Sequence, residues 1–90
     1  MKFNKWSMQR IKDGRKRLTS RKNRYEGDPH VSGIVGPLPW WFIREYLCRE
    51  EGADSPEELQ RVINQIFRRE VHGLEEFFVH IIDIEQVVKE

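Results

Sequence analysis

The chain has little cysteine and no long run of apolar residues. Its one cysteine, Cys48, has no partner for an intramolecular disulfide, which favours a protein of the reducing cytosol. The longest apolar runs, at residues 40–43 and 77–79, are far shorter than the roughly 20 residues that span a bilayer, and the first residues do not resemble a secretory signal. We therefore expect a cytoplasmic protein that does not enter the membrane.

Motifs for metals and cofactors are also missing from the sequence. His30, His72 and His80 are far apart, and Cys48 has no companion thiol, so no two of these residues stand at the spacing of metal ligands. There is no glycine-rich phosphate loop, dinucleotide fingerprint or Ser/His/Asp arrangement. The sequence predicts neither a metal nor a cofactor, and His80, within an apolar segment, is interpreted as a core residue.

Charges of opposite sign are divided between two parts of the chain, although the net charge is only +1. Residues 1–24 contain ten Lys and Arg and one Asp, a net charge of +9. Residues 25–90 contain six Lys and Arg and fourteen Asp and Glu, a net charge of −8. A basic segment of this kind is typical of proteins that bind phosphate-rich partners. The alternative is that folding pairs the two sets of charges in salt bridges.

Ninety residues suit a single domain, residues 1–90, with one modest core. The first half of the chain is predicted to hold a short helix that ends at Gly14, a strand within residues 15–21, a strand at 31–35 that stops at the Gly-Pro-Leu-Pro of 36–39, and a helix over 40–52.

The second half carries the strongest local signals. Ser55, Pro56 and Glu58 form a capping box, and the apolar residues after it have helical spacing, namely Leu59, Val62, Ile63, Ile66 and Phe67. Residues 76–84 have apolar side chains at both odd and even positions, which point to opposite faces of a strand. This pattern is typical of a central strand buried on both faces. These elements predict an α+β fold, with a small mixed or antiparallel sheet or a reduced β-barrel packed with two to three helices.

One motif resembles that of a known family. The first predicted helix is followed by the pattern Gly-x-Lys-x-x-Thr-x-Arg at residues 14–21 and by Gly-Asp at 27–28. Together with Glu-Gly at residues 51–52 before the capped helix, and with the aromatic strand, this order resembles the ASCH domain of the PUA-like superfamily. The resemblance covers residues 3–28 and 50–84, and it implies a small PUA-like barrel with a cleft for RNA or a nucleoside.

The resemblance also implies roles for particular residues. In that family the side chains matching Lys16, Thr19 and Arg21 line the cleft. One branch of the family is an amidohydrolase that acts on an acetylated cytidine, and its Lys, Thr and Glu correspond to Lys16, Thr19 and Glu51. In such an enzyme the lysine deprotonates the threonine hydroxyl, which attacks the amide carbonyl while the carboxylate handles protons.

The chain departs from the family pattern between the two matching parts. Only the 22 residues 29–50 separate Gly-Asp from Glu51, where the family has more chain, including strands of the barrel wall. A barrel reduced in this way is expected to exclude water poorly, which argues for binding rather than catalysis.

Further residues are predicted to bind nucleic acid. Besides Lys16, Thr19 and Arg21, the basic side chains expected to provide a positive field for phosphate are Arg15, Arg17, Lys22 and Arg24. Trp40 is predicted to be the exposed ring of the 40–42 aromatic run and to stack on bases. The alternative is that these rings fill the core.

The sequence therefore favours a monomeric domain that binds RNA or a modified nucleoside through a basic cleft. Two alternatives remain open. One is an amidohydrolase that removes an acyl group from a modified cytidine, and the other is a protein-interaction domain whose basic segment docks an acidic partner.

Overall fold

The fold of residues 1–89 is described by a computed structural model. Its elements follow the chain in the order α1 (Lys5–Lys12), β1 (Leu18–Arg21), β2 (Val31–Pro39), α2 (Trp40–Tyr46), α3 (Pro56–Phe67), β3 (Glu76–Ile82) and α4 (Ile84–Lys89). The predicted α+β class is confirmed. The described part has four helices, where two to three were predicted. No helix in it is long and apolar enough to cross a membrane.

The apolar strand β3 lies at the centre of a three-stranded antiparallel sheet with the order β1-β3-β2. It pairs with β1 at Thr19↔His80 and with β2 at Ile34↔His80. The predicted central position is confirmed, because β3 has a neighbour on each side, but the predicted burial of both faces is incomplete, since Ile81 is 40% exposed. Within residues 1–89 the two outer strands do not pair with each other, so the sheet is open and does not close into a barrel.

Strand β2 runs further than the sequence predicts. It passes through Gly36 and Pro37 and ends at Pro39, with a register shift between Val35 and Leu38. Pro37 is tolerated because β2 is an edge strand and because the register shift takes Gly36 and Pro37 out of the regular hydrogen-bond ladder with β3. Gly36 has φ +124°, and a Cβ at this position would lie 3.1 Å from the carbonyl oxygen of Phe77. The close approach of β3 thus explains why glycine stands in the middle of this strand.

Helix α3 begins at the predicted N-cap Ser55, although the Glu58 carboxylate bonds to the residue before the cap and not to the N–H of the cap itself. The Ser55 hydroxyl accepts a hydrogen bond from the backbone N–H of Glu58 at 3.1 Å, and the Glu58 carboxylate accepts one from the N–H of Asp54 at 2.6 Å. Helix α2 is shorter than predicted, since it ends at Tyr46 and turns follow it up to Gly52.

Trp40 lies in the core, so the prediction that it is an exposed stacking ring is wrong. Its side chain is 0% exposed, whereas that of the neighbouring Trp41 is 43% exposed. The Trp40 ring packs on Phe77 of β3 with 5.5 Å between centroids, and its indole Nε1 donates to Oε1 of Gln60 at 2.8 Å. The first turn of α2 points this ring at the sheet, which makes it a core residue instead of a base platform.

His80 is a core residue, as the sequence predicts. Its ring is 0% exposed, and its Nε2 accepts a hydrogen bond from the backbone N–H of Tyr25 at 3.0 Å. The Nδ1 atom lies 3.0 Å from the carbonyl oxygen of Phe78, which assigns the proton to Nδ1. Burial lowers the pKa of His80, in agreement with a neutral ring that satisfies two backbone groups.

Candidate functional site

Two distant segments meet where the chain enters β1. Lys16 and Glu51 form an isolated antiparallel bridge, and the carbonyl oxygen of Glu50 accepts hydrogen bonds from the N–H groups of Arg17 at 2.7 Å and Leu18 at 2.9 Å. The segment after α2 is therefore hydrogen-bonded to the residues that lead into β1, outside the three-stranded sheet. This backbone pairing brings the side chains of Lys16 and Glu51 together, although 35 residues separate them.

Lys16, Ser20 and Glu51 form a buried polar cluster. The side chains of Lys16 and Glu51 are only 4% and 5% exposed. The Lys16 Nζ donates to the carbonyl oxygen of Glu51 at 2.9 Å and to its Oε1 at 3.3 Å, while the Ser20 Oγ donates to Oε2 at 2.5 Å. Each carboxylate oxygen thus has a donor, as a buried charge requires.

Burial lowers the pKa of Lys16, and the positive charge of Arg21 adds to this effect. The charge of Glu51 and its hydrogen bond act in the opposite direction without cancelling it. A lysine in such surroundings releases its proton more readily than one in water, which suits a group that donates to a ligand or accepts a proton from one.

Gly52 permits the close packing behind the cluster. Its φ is +99°, and a Cβ there would lie 3.0 Å from the Cβ of Lys16 and 3.2 Å from the Cδ of Arg10. Arg10 donates from Nε to the Gly52 carbonyl oxygen at 2.9 Å, and its guanidinium lies 4.0 Å from the centre of the Trp6 ring. Helix α1 is held against the Glu51 segment by these contacts.

The cluster lies in a cleft of about 370 Å³ between α1, β1 and α3. Helix α3 forms its apolar wall with Leu59, Val62, Ile63, Ile66 and Phe67. Of this predicted apolar face, Leu59 and Ile63 are buried, Val62 and Phe67 are partly buried, and Ile66 is 52% exposed. Part of the face is open because it borders the cleft. The rest of the lining consists of Lys2, Asn4, Trp6, Ser7, Lys16, Thr19, Ser20, Arg21, Lys22, Asn23, Tyr25 and Glu51.

Thr19 and Arg21 share the cleft with the cluster. The Arg21 Nε lies 3.5 Å from the Thr19 Oγ1, and its Nη2 donates to the Lys2 carbonyl oxygen at 2.7 Å. The structure therefore brings the predicted residues Lys16, Thr19, Arg21 and Glu51 together. Thr19 forms no hydrogen bond with either Lys16 or Glu51, whose side chains are both described.

The other predicted basic residues are mostly engaged elsewhere. Ion pairs join Arg15 to Asp54 at 2.6 Å, Lys22 to Glu75 at 3.1 Å and Arg24 to Glu26 at 2.7 Å. Arg17 is exposed and forms no ion pair with residues 1–89. Of these, only Lys22 lines the cleft. Folding thus pairs part of the basic segment with acidic residues, as the alternative interpretation of the charge pattern predicts.

Sequence reasoning missed Ser20, Trp6 and Tyr25 in the cleft. Ser20 stands beside Thr19 in the motif, but its carboxylate partner is 31 residues away, so no local pattern indicates the contact. The rings of Trp6 and Tyr25 come from α1 and from the turn after β1, and only the fold brings them to one site.

No protein-family model, curated protein or solved structure matches this chain. The resemblance to the ASCH family stays a prediction from the motif.

Proposed function

We propose that this protein binds a nucleoside-type ligand, either free or as one residue of an RNA, in the cleft beside α3. The observation that supports the proposal best is the buried Lys16–Ser20–Glu51 cluster, which lines a cleft whose α3 wall is apolar. An ammonium has three N–H donors, and Glu51 accepts two hydrogen bonds from Lys16. The remaining donor is available to a ligand.

The size and lining of the cleft support a single base more than an extended strand. Its volume, about 370 Å³, is near the lower end of the roughly 300–1,000 Å³ of small-molecule sites. Trp6 and Tyr25 line the cleft, and a base can stack on the face of either ring that the guanidinium of Arg10 or Arg21 leaves uncovered. Because Arg15 and Arg24 are paired with carboxylates away from the cleft, they contribute little to a continuous track for phosphates.

The proposal predicts that Tyr25→Leu weakens the binding of cytidine, N4-acetylcytidine or a short single-stranded RNA. A lost base–aromatic stack costs about 1–3 kcal/mol, which corresponds to a roughly 5- to 150-fold higher Kd. Isothermal titration calorimetry measures the Kd. Tyr46→Leu is the matched control, because Tyr46 is 66% exposed and lies outside the cleft.

Two outcomes contradict the proposal. One is that the parent protein binds neither the nucleosides nor the RNA, which would direct attention to an acidic protein partner. The other is that Tyr46→Leu weakens binding as much as Tyr25→Leu.

An amidohydrolase is the second candidate, favoured by the contact between Ser20 and Glu51. A hydroxyl 2.5 Å from a carboxylate oxygen can pass its proton to that oxygen while it attacks the amide carbonyl. The proton then goes to the leaving amine as the C–N bond breaks, and water hydrolyses the resulting ester. Thr19, the nucleophile implied by the family resemblance, is in the same cleft without such a partner.

This candidate predicts that the protein releases acetate from N4-acetylcytidine. We expect Ser20→Ala to reduce turnover more than Thr19→Val, because only the Ser20 hydroxyl contacts the carboxylate. Liquid chromatography of the nucleosides measures the rate, and Thr19→Ser is the conservative control. Binding of N4-acetylcytidine without turnover would contradict the enzyme and leave the binding proposal in place.

A further inference from the structure

Two cations of the cleft, Lys2 and Arg21, form no ion pair with residues 1–89, and of the two only Arg21 is partly buried. Lys16 pairs with Glu51, and Lys22 pairs with Glu75. No carboxylate among residues 1–89 lies within ion-pair distance of the Arg21 guanidinium, although this side chain is partly buried. A partly desolvated cation without a counter-charge is expected to attract an anion.

The guanidinium of Arg21 is also held in a defined orientation. Its Nη2 donates to the Lys2 carbonyl oxygen at 2.7 Å. Its centre lies 5.4 Å from the ring centre of Phe3 and 5.7 Å from that of Tyr25. Arginine has five N–H donors in a planar fork, and two of them are used by Thr19 and Lys2. The others can bind two oxygens of one phosphate without further loss of side-chain freedom.

The charge balance of the cleft points to the same kind of ligand. Among the described residues that line it, Glu51 is the one acidic side chain, and both of its oxygens already accept hydrogen bonds. Lys2, Lys16 and Arg21 leave the cleft with an excess of positive charge. The Thr19 hydroxyl, which accepts from Arg21, can still donate its own hydrogen to an anion.

From these contacts we infer that Arg21 and Thr19 form a subsite for a phosphate monoester, so that the ligand is a nucleoside 5′-monophosphate or a 5′-phosphorylated RNA end. The inference rests on the proposed nucleoside site and adds the phosphate to it. The base stacks on Tyr25, and the phosphate lies against the guanidinium beside that ring.

The test compares the Kd values of cytidine and cytidine 5′-monophosphate by calorimetry at pH 8, where the phosphate is a dianion. We expect the monophosphate to bind at least tenfold more tightly to the parent protein. In Arg21→Met the two Kd values are expected to become equal. In Arg21→Lys the monophosphate is expected to keep part of its advantage, because lysine retains the positive charge but lacks the planar set of N–H donors. Arg61→Met is the matched control, since Arg61 is exposed, forms no ion pair with residues 1–89 and lies outside the cleft.

Equal affinities for the two compounds in the parent, or an unchanged ratio in Arg21→Met, would overturn the phosphate subsite while leaving the nucleoside site intact. If neither compound binds, the proposed function fails and a titration with inorganic phosphate tests the subsite alone. Phosphate binding that Arg21→Met removes would support the subsite, and absence of phosphate binding would overturn it.

A 5′-phosphorylated trinucleotide that binds as tightly as the monophosphate would assign the subsite to RNA ends, and weaker binding would assign it to free nucleotides.

Discussion

Replacing Glu51 with alanine is expected to lower the free energy of unfolding by about 3–5 kcal/mol, because it leaves the buried ammonium of Lys16 without its carboxylate. Urea unfolding at pH 7 measures the loss. The loss should become smaller as the pH rises. Without Glu51 the groups that raise the pKa of Lys16 are gone and burial still lowers it, so between that lowered pKa and 10.5, the ordinary lysine value, the unfolded chain binds more protons than the folded one. In the parent Glu51 partly offsets the lowering, so the stability of the parent rises less over the same pH interval.

Two further variants distinguish the effect of breaking the buried Lys16–Glu51 pair from the general effect of removing a carboxylate. Glu45→Ala is the control, because Glu45 is exposed and its ion pair with Arg44 lies at the surface, and its effect should stay within about 0.5 kcal/mol. The double variant Lys16→Met/Glu51→Leu should recover much of the lost stability, since apolar groups of similar size can replace a buried ion pair at little cost. A loss below about 1 kcal/mol for Glu51→Ala would show that water reaches the pair.

Trp40→Ala is expected to destabilise the fold by about 3–5 kcal/mol, since it removes a fully buried ring from its contact with Phe77 and leaves Gln60 without the indole donor. Trp41→Ala is the matched control on the next residue. Its ring is 43% exposed, so its replacement should cost much less. Thermal and urea unfolding of both variants measure the difference.

Ligand binding by Trp40→Phe, a milder substitution, also tests whether Trp40 is a core residue. Trp40→Phe keeps an aromatic ring in the core, and Trp40 does not line the cleft, so the Kd for cytidine should stay within about twofold of the parent value. A stable Trp40→Ala protein that no longer binds nucleosides would show that Trp40 stacks on the ligand after all.

The parts of the fold that were predicted correctly depend on local signals. The cap of α3 involves Ser55 and Glu58, which are three residues apart, and the hydrogen bond between them forms as soon as the helix starts. The apolar run of β3 indicates a central strand, because apolar side chains on both faces favour a strand with neighbours on each side, although Ile81 stays 40% exposed. Both features can be read within ten residues of sequence.

The parts that were predicted wrongly depend on neighbours that are distant in sequence. Strand β2 continues through Gly36 because the Phe77 carbonyl of β3 lies against it, and no residue near Gly36 indicates this. Trp40 and Trp41 are adjacent and chemically alike, and only the position of α2 on the sheet decides which ring is buried.

By itself the sequence determined an α+β domain, a capped helix, a central strand and a basic motif containing Lys16, Thr19 and Arg21. Only the tertiary structure decided what surrounds that motif. It placed Glu51 and Ser20 in contact with each other, paired Lys16 with Glu51 and left Arg21 without a carboxylate. The physical reason is that hydrogen-bond caps and apolar periodicity act over a few residues, whereas the partner of a buried charge is set by backbone pairing between segments more than thirty residues apart.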